Sequence, residues 1–213
     1  RQHVSVSLSG DGGDEIFCGY NRYLVAENIW HKLEVVPLPL RKLVSWGLTS
    51  ISPNLWNKLS AALSGFVPKS VQFANLGDKL HKVAGVLSSQ SAGALYLGLV
   101  SHWHDPASVV IDGQEPPTLL TGNAPAFNGL DEVQCMMLLD MLTYLPDDIL
   151  TKVDRAAMGV SLETRVPFLD HNVIEYAWTL PMSAKLRNGQ TKWVLRQVLE
   201  KYVPQSLIDR PKM

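Results

Sequence analysis

At 213 residues and 46 % hydrophobic composition, the chain is long enough to bury a core and reads as one domain. Its 19 basic and 20 acidic side chains leave a net charge of −1, which removes any general electrostatic case for nucleic acid or an anionic membrane. No apolar run reaches about 18 residues and no signal-peptide pattern is present, so the chain reads as soluble. Its two cysteines, Cys18 and Cys135, form no CxxC pair, which favours a reducing cytoplasm over a disulfide framework.

The first element is a strand. Val4, Val6 and Leu8 alternate with Ser5, Ser7 and Ser9, and a glycine-rich turn follows at Gly10-Asp11-Gly12-Gly13. A long helix is expected over 15–33, with Ile16, Tyr20, Tyr23 and Leu24 at helical spacing and the Pro37-Leu38-Pro39 turn beyond it. Amphipathic helices are expected over 41–48, 55–63, 73–87 and 92–103. A Pro- and Gly-rich loop over 112–129 comes next, and helices follow over 131–144 and 147–158, broken at Pro146. Helices over 171–179 and 192–202 complete the set. The fold class is α/β, mostly helical, carrying one edge of a sheet.

Strand, turn and helix start meet at Leu8-Ser9-Gly10-Asp11-Gly12-Gly13-Asp14-Glu15, where three carboxylates converge. Glycines let backbone N–H groups turn toward an anion, and carboxylates supply hard oxygen ligands for Mg²⁺. The same residues make a good structural turn with Asp14 and Glu15 at a helix N-terminus, and a partial calcium loop also stays open. Asp148 and Lys152 sit four residues apart and satisfy the spacing of an ordinary surface ion pair. Pro167 forces Val166 out of helix, so Val166-Pro167-Phe168-Leu169 between Glu163, Arg165 and Asp170 reads as a structural turn. Lys192 stands at a helix start, where the macrodipole disfavours a cation; a local rule broken this way often marks a functional site, the alternative being a solvated surface lysine. His102-Trp103-His104-Asp105 has metal-like letters but no third ligand cluster, and Met136, Met137 and Met141 read as core.

Five blocks in a fixed order add to this reading. They are Ser9–Glu15 with Gly19-Tyr20-Asn21-Arg22-Tyr23; Asp147 to Met158; Ser161 to His171; Gly189-Gln190-Thr191-Lys192-Trp193-Val194-Leu195-Arg196; and Asp209-Arg210-Pro211-Lys212-Met213. Together they resemble the C-terminal synthetase domain of glutamine-hydrolysing asparagine synthetases. The resemblance implies an adenine-nucleotide α-hydrolase-like fold and ATP-dependent amidation of aspartate through β-aspartyl-AMP, with ATP and Mg²⁺ required. It implies a cytoplasmic parent enzyme that draws ammonia from glutamine through a separate glutaminase domain, with no nucleic-acid or membrane partner and a homo-oligomer left open.

By the same resemblance, Lys192, Asp11 and Glu15 are catalytic. Ser9, Gly10, Asp11, Gly12, Tyr20, Asp148 and Arg155 bind nucleotide or substrate, and Asp14 holds magnesium. Tyr20 is expected on the same helix as Glu15, pointing into the site or into the core. Departures matter too. No Ser-Gly-Gly-x-Asp-Ser pyrophosphate loop occurs, since Ser9-Gly10 and Ser64-Gly65 continue otherwise, and Cys18 replaces a glycine usual in the family's Gly-Gly-Tyr. Cys18, expected in mid-helix, is not a glutaminase nucleophile. The absence of an initiating Met and of the pyrophosphate loop leads us to expect a piece of a longer protein, whose isolated form is inactive. Two rivals remain: a relative adenylating another carboxylate, of β-lactam synthetase or polysaccharide amidotransferase type, and a non-catalytic helical interaction module.

Overall fold

A computed structural model of the chain describes residues 3–63, 75–101, 103, 106–114, 116–122, 127 and 129–208. Ser64-Gly65, His102, His104, Asp105 and the block from Asp209 onward lie outside the described residues. In chain order the elements are β1 (Val6–Leu8), α1 (Gly13–Ile16), α2 (Asn21–Glu34), α3 (Leu38–Thr49), α4 (Pro53–Leu63), α5 (Leu76–Leu87) and α6 (Ala92–Val100). They continue with α7 (Glu132–Leu142), α8 (Thr151–Met158), β2 (Glu163–Arg165), α9 (His171–Thr179), α10 (Met182–Lys185), β3 (Leu186–Arg187), β4 (Gln190–Thr191), α11 (Trp193–Leu199) and α12 (Gln205–Ile208). The chain forms two compact units, Arg1–Leu24 with Pro117–Met213, and Val25–Pro116. Among the described residues no helix is long and apolar enough to cross a membrane.

In the first unit β1 lies parallel to β2, pairing Val6 with Glu163, Ser7 with Thr164 and Leu8 with Arg165. The Ser9 N–H extends the ladder to the Arg165 carbonyl at 2.9 Å. The expected strand therefore has a partner, in the segment that leads into the Val166–Leu169 turn. Val4, Val6 and Leu8 remain exposed, Leu8 at 74 %. Parallel strands are ordinarily covered on both faces, so this apolar face is bare in the chain as it stands.

The long helix expected over 15–33 is corrected by the structure. Helix α1 stops at Ile16, Cys18 takes a left-handed conformation (φ 56), and α2 starts afresh at Asn21. The Gly19 N–H reaches back to the Asp14 carbonyl at 2.8 Å, the six-to-one closure that ends a helix on a left-handed residue. Cys18 is thus in a reversal, and Tyr20 lies outside the helix that carries Glu15. Periodicity alone could not reveal the break, because the apolar spacing on either side of it is helical.

Ile16, Phe17 and Ala177 form a buried cluster against which Met141, Phe168, Leu169, Ile174, Leu180, Val194 and Leu195 pack. The Pro167–Leu169 turn lies over the glycine turn: Gly12 is left-handed (φ 81), and a Cβ there would stand 2.6 Å from Leu169 Cδ2. Asp170 caps α9, its side chain accepting from the Asn172 N–H at 2.9 Å. Helix α7 opens with a capping box between Asp131 and Gln134 and buries Met136 and Met137, while Met141 joins the Phe17 cluster. The break expected at Pro146 falls earlier, at Thr143. Pro146 then occupies the first turn of a π-helical stretch, Leu145–Leu150, where its missing N–H costs nothing, and that stretch runs on into α8.

The second unit is helical. Arg41 is buried and donates to the Val36 carbonyl at 3.0 Å and to the Ser89 carbonyl at 2.8 Å, closing the end of α5 with a cation, as the helix dipole favours. Ser45 Oγ bonds the Ala84 carbonyl, and Trp56 Nε1 bonds that of Leu48.

Lys185 is a charged exception in the core of the first unit. It is fully buried, its Nζ has no hydrogen-bond partner, and it lies 4.7 Å from the centre of the Trp178 ring. Burial pushes its ammonium below the ordinary lysine range, against the opposing pull of Cys18 and Asp131.

Two expectations follow for the full-length parent, each checked by equilibrium unfolding. Gly12→Ala adds a left-handed strain and a clash with Leu169, and should cost about 2 kcal/mol. Lys185→Met removes a charge that folding desolvates and should stabilise by about 1 kcal/mol at neutral pH. The folded state disfavours the protonated amine, so the unfolded chain binds more protons and Lys185 makes stability rise with pH toward the ordinary lysine range. That rise should flatten in Lys185→Met.

Candidate active site

The glycine turn leaves β1 at Ser9 and enters α1 at Gly13. Ser9 Oγ donates to Asp11 Oδ2, and the Asp11 N–H points back to Ser9 Oγ at 3.4 Å, so the two side chains lock one another. Gly10 is exposed and a Cβ there would meet nothing within 4 Å, which leaves this side of the turn open. Gly12 is buried against Leu169. Ser9, Gly10, Asp11 and Gly12 are therefore presented by a turn braced from beneath.

Asp14 and Lys192 meet across this unit. Lys192 Nζ lies 2.9 Å from Asp14 Oδ1, both side chains about one-third exposed. Lys192 is the N-cap of α11, as its place in the sequence indicates, and it holds a left-handed backbone (φ 53). A non-glycine residue there is strained, and such strain gathers at functional sites. Its N–H bonds the Phe17 carbonyl at 3.2 Å, which ties the lysine to the reversal after α1. Gly19 makes the approach possible: a Cβ would fall 2.0 Å from Asp14 Oδ1 and 2.2 Å from Lys192 Cε.

Glu15 turns the other way. It is buried, and its Oε1 accepts from the Tyr20 hydroxyl at 2.8 Å. Burial raises its carboxyl above the usual range, aided by the charges of Asp14 and Asp140 and opposed by the Tyr20 bond. The Tyr20 phenol is raised far above its usual value, by burial first and then by Glu15. Behind Tyr20 stands a group that sequence reasoning missed. Arg22 Nε donates to Asp140 Oδ2 at 3.1 Å, and the Tyr23 hydroxyl donates to the same oxygen. The Arg22 guanidinium carbon sits 4.1 Å from the Tyr20 ring centre and 4.6 Å from that of Tyr144. A signal existed: Asp140 is a lone acid in the apolar run 136–142, and a buried carboxylate demands donors.

Asp148 and Arg155 stand apart from these hydrogen bonds. Asp148 pairs with Lys152 at 2.6 Å, a lysine whose side chain is 69 % exposed, in the ordinary surface geometry its spacing allows. Arg155 is exposed on α8. As for magnesium, the described residues contain no group of three His, Cys, Asp or Glu side chains able to cage a metal. Mg²⁺ that arrives with a nucleotide is held by one or two carboxylates plus phosphates and water, and the partly exposed Asp14 beside an open glycine turn fits that mode.

The asparagine synthase family model matches residues 1–213. A Mycobacterium bovis protein provisionally named a glutamine-hydrolysing asparagine synthetase is 35 % identical over 217 residues, covering 100 % of this chain and 30 % of that protein. Asparagine synthetase 1 of Bacillus subtilis, also named as glutamine-hydrolysing, is 30 % identical over 213 residues, again covering 100 % of this chain and 30 % of its own length. The human asparagine synthetase is 30 % identical over 112 residues, which cover 49 % of this chain and 19 % of that one. No solved structure matches. The chain thus spans about 30 % of the length of the first two relatives. It belongs to the asparagine synthase family, and its mostly helical α/β architecture is that of the family's adenine-nucleotide α-hydrolase-like synthetase domain.

Proposed function

We propose that this chain is part of the synthetase domain of a cytoplasmic, glutamine-hydrolysing asparagine synthetase, and that both compact units belong to that one domain. The parent enzyme joins aspartate to ATP, releases pyrophosphate, and lets ammonia displace AMP to give asparagine. A glutaminase domain elsewhere in the parent supplies the ammonia. The observation that carries this reading is the Asp14–Lys192 pair, which brings two separated motifs of the family within 2.9 Å beside an open glycine turn.

The chemistry explains why those residues are needed. The aspartate side-chain carboxylate and the α-phosphate repel one another, so the site must offset negative charge as they approach. Ser9, Gly10, Asp11 and Gly12 form the turn against which the adenylate lies. Tyr20 holds the buried Glu15 in place, while Lys192 offers a compact cation to the charge that develops as ammonia attacks. Asp14 would hold Mg²⁺, which when bound would supply further positive charge against the leaving group. Asp148, partly exposed here, and Arg155, fully on the surface, are assigned to substrate binding in the parent by the family resemblance alone.

Residues 1–213 contain no Ser-Gly-Gly-x-Asp-Ser loop, and the apolar face of β1 is bare. Both features fit a site that other parts of the parent complete. ATP–pyrophosphate exchange by the full-length parent should accordingly be stimulated by aspartate and not by other carboxylates. Residues 1–213 alone should release no aspartate-dependent AMP. Exchange driven equally by other carboxylates would overturn the choice of substrate.

Lys192→Ala in the parent should leave stability within about 0.5 kcal/mol, as for a partly exposed ion pair. Its kcat should fall by roughly 10²-fold, the scale for loss of a transition-state donor. Lys192→Arg should recover little, because a planar fork does not reproduce an ammonium. A kcat within a few-fold of wild type in Lys192→Ala would return the residue to ordinary surface.

A further inference from the structure

We propose that Arg22 is a positioning residue, which fixes the Tyr20 ring and thereby the hydrogen bond to Glu15. The idea rests on the function proposed above only for its catalytic consequence.

Six contacts carry it. The Arg22 guanidinium carbon sits in the corner made by the Tyr20 and Tyr144 rings, 4.1 and 4.6 Å from their centres, the rings lying 75° to one another. Its Nε and a terminal nitrogen both donate to Asp140 Oδ2, and the Asp140 side chain is 1 % exposed. The Tyr23 hydroxyl bonds that same oxygen, so the carboxylate is itself held. Tyr20 Oη then reaches Glu15 Oε1 at 2.8 Å, and Glu15 follows Asp14, the partner of Lys192.

Only a planar cation satisfies the arrangement. The guanidinium brings two N–H donors to one carboxylate oxygen while its carbon lies close to two rings set 75° to one another, whereas an ammonium meets either the rings or the acid at full strength. Tyr20 is outside both α1 and α2, so no helical ladder sets its ring. Its hydroxyl is placed by side-chain contacts: Arg22 on one face, with Tyr23 and Tyr144 at ring-centre distances of 5.7 and 6.0 Å in edge geometry. Loss of the guanidinium removes the cation 4.1 Å from the centre of the ring. Arg22→Met also takes two donors from the buried Asp140 and should lower stability, whereas Tyr144→Leu keeps that ion pair, so the Tyr20 resonance and not the unfolding midpoint is the readout.

The test uses the full-length parent with ¹³Cζ-labelled tyrosine, the Tyr20 resonance being assigned from Tyr20→Phe. Arg22→Met and Arg22→Lys should both move that resonance in the direction produced by Glu15→Gln. In aspartate-dependent ATP–pyrophosphate exchange, Arg22→Met should lower kcat about tenfold or more, the scale of a slightly misplaced group, with KM for ATP within about twofold. Adding Arg22→Met to Tyr20→Phe should lower kcat no further, because the arginine acts through the tyrosine. If Arg22→Met does not fold, Tyr144→Leu removes one wall, keeps the ion pair, and carries the same expectations. A Tyr20 resonance that stays in place, or losses that multiply in the double variant, overturns the proposal. A wild-type parent without aspartate-stimulated exchange overturns the proposed function instead, and the resonance still decides the role of Arg22.

Discussion

The reversal between α1 and α2 is the constraint from which the site's geometry descends. Four residues after Asp14 the chain turns left-handed at Cys18, and the Gly19 N–H closes on the Asp14 carbonyl. That closure frees the Phe17 carbonyl to accept from Lys192 and leaves a gap at Gly19 that only a residue without a Cβ preserves. The lysine stem crosses this gap to Asp14. Had the helix continued, Tyr20 would have been carried on the same rod as Glu15. The break instead lets its hydroxyl fold back onto that carboxylate. A left-handed cysteine is costlier than the glycine that most helix ends use there. Full burial of its side chain against the core offsets part of that cost.

Polar groups in this unit divide according to whether they found partners. Asp140 has three donor contacts on one oxygen from Arg22 and Tyr23, and such charge-assisted bonds are what make a buried carboxylate tolerable. Glu15 has the Tyr20 hydroxyl, yet burial, aided by two neighbouring acids, pushes its carboxyl up. Lys185 is pushed down by burial, which the Trp178 face and the pull of Cys18 and Asp131 do not offset. The same physics, desolvation against compensation, sets all three. The first two belong to a connected network beside the glycine turn, whereas the lysine is buried with its nitrogen unbonded.

Bracing comes from a segment with no chemistry of its own. Pro167 forces the extended Val166, the following turn lays Phe168 and Leu169 over Gly12 and Gly13, and Asp170 starts α9. Strand β2, immediately before it, pairs with β1 and so fixes the end of the strand from which Ser9 emerges. A turn that must present open backbone on one side is in this way supported by close packing on the other.

Much of this was legible in the sequence. The alternation of Val4, Val6 and Leu8 marked the strand, the glycine run marked the turn, and the charge at a helix start marked Lys192, because each is a local rule obeyed or broken within a few residues. Order and spacing of five motifs indicated the family. Tertiary structure alone decided the rest. The partner strand at 163–165 is too short to carry a pattern, and the break at Cys18 is invisible to a period that continues on both sides of it. The meetings of Asp14 with Lys192, and of Arg22 with Asp140, join residues more than a hundred positions apart. Such contacts arise from how helices and turns pack, and no local propensity encodes them.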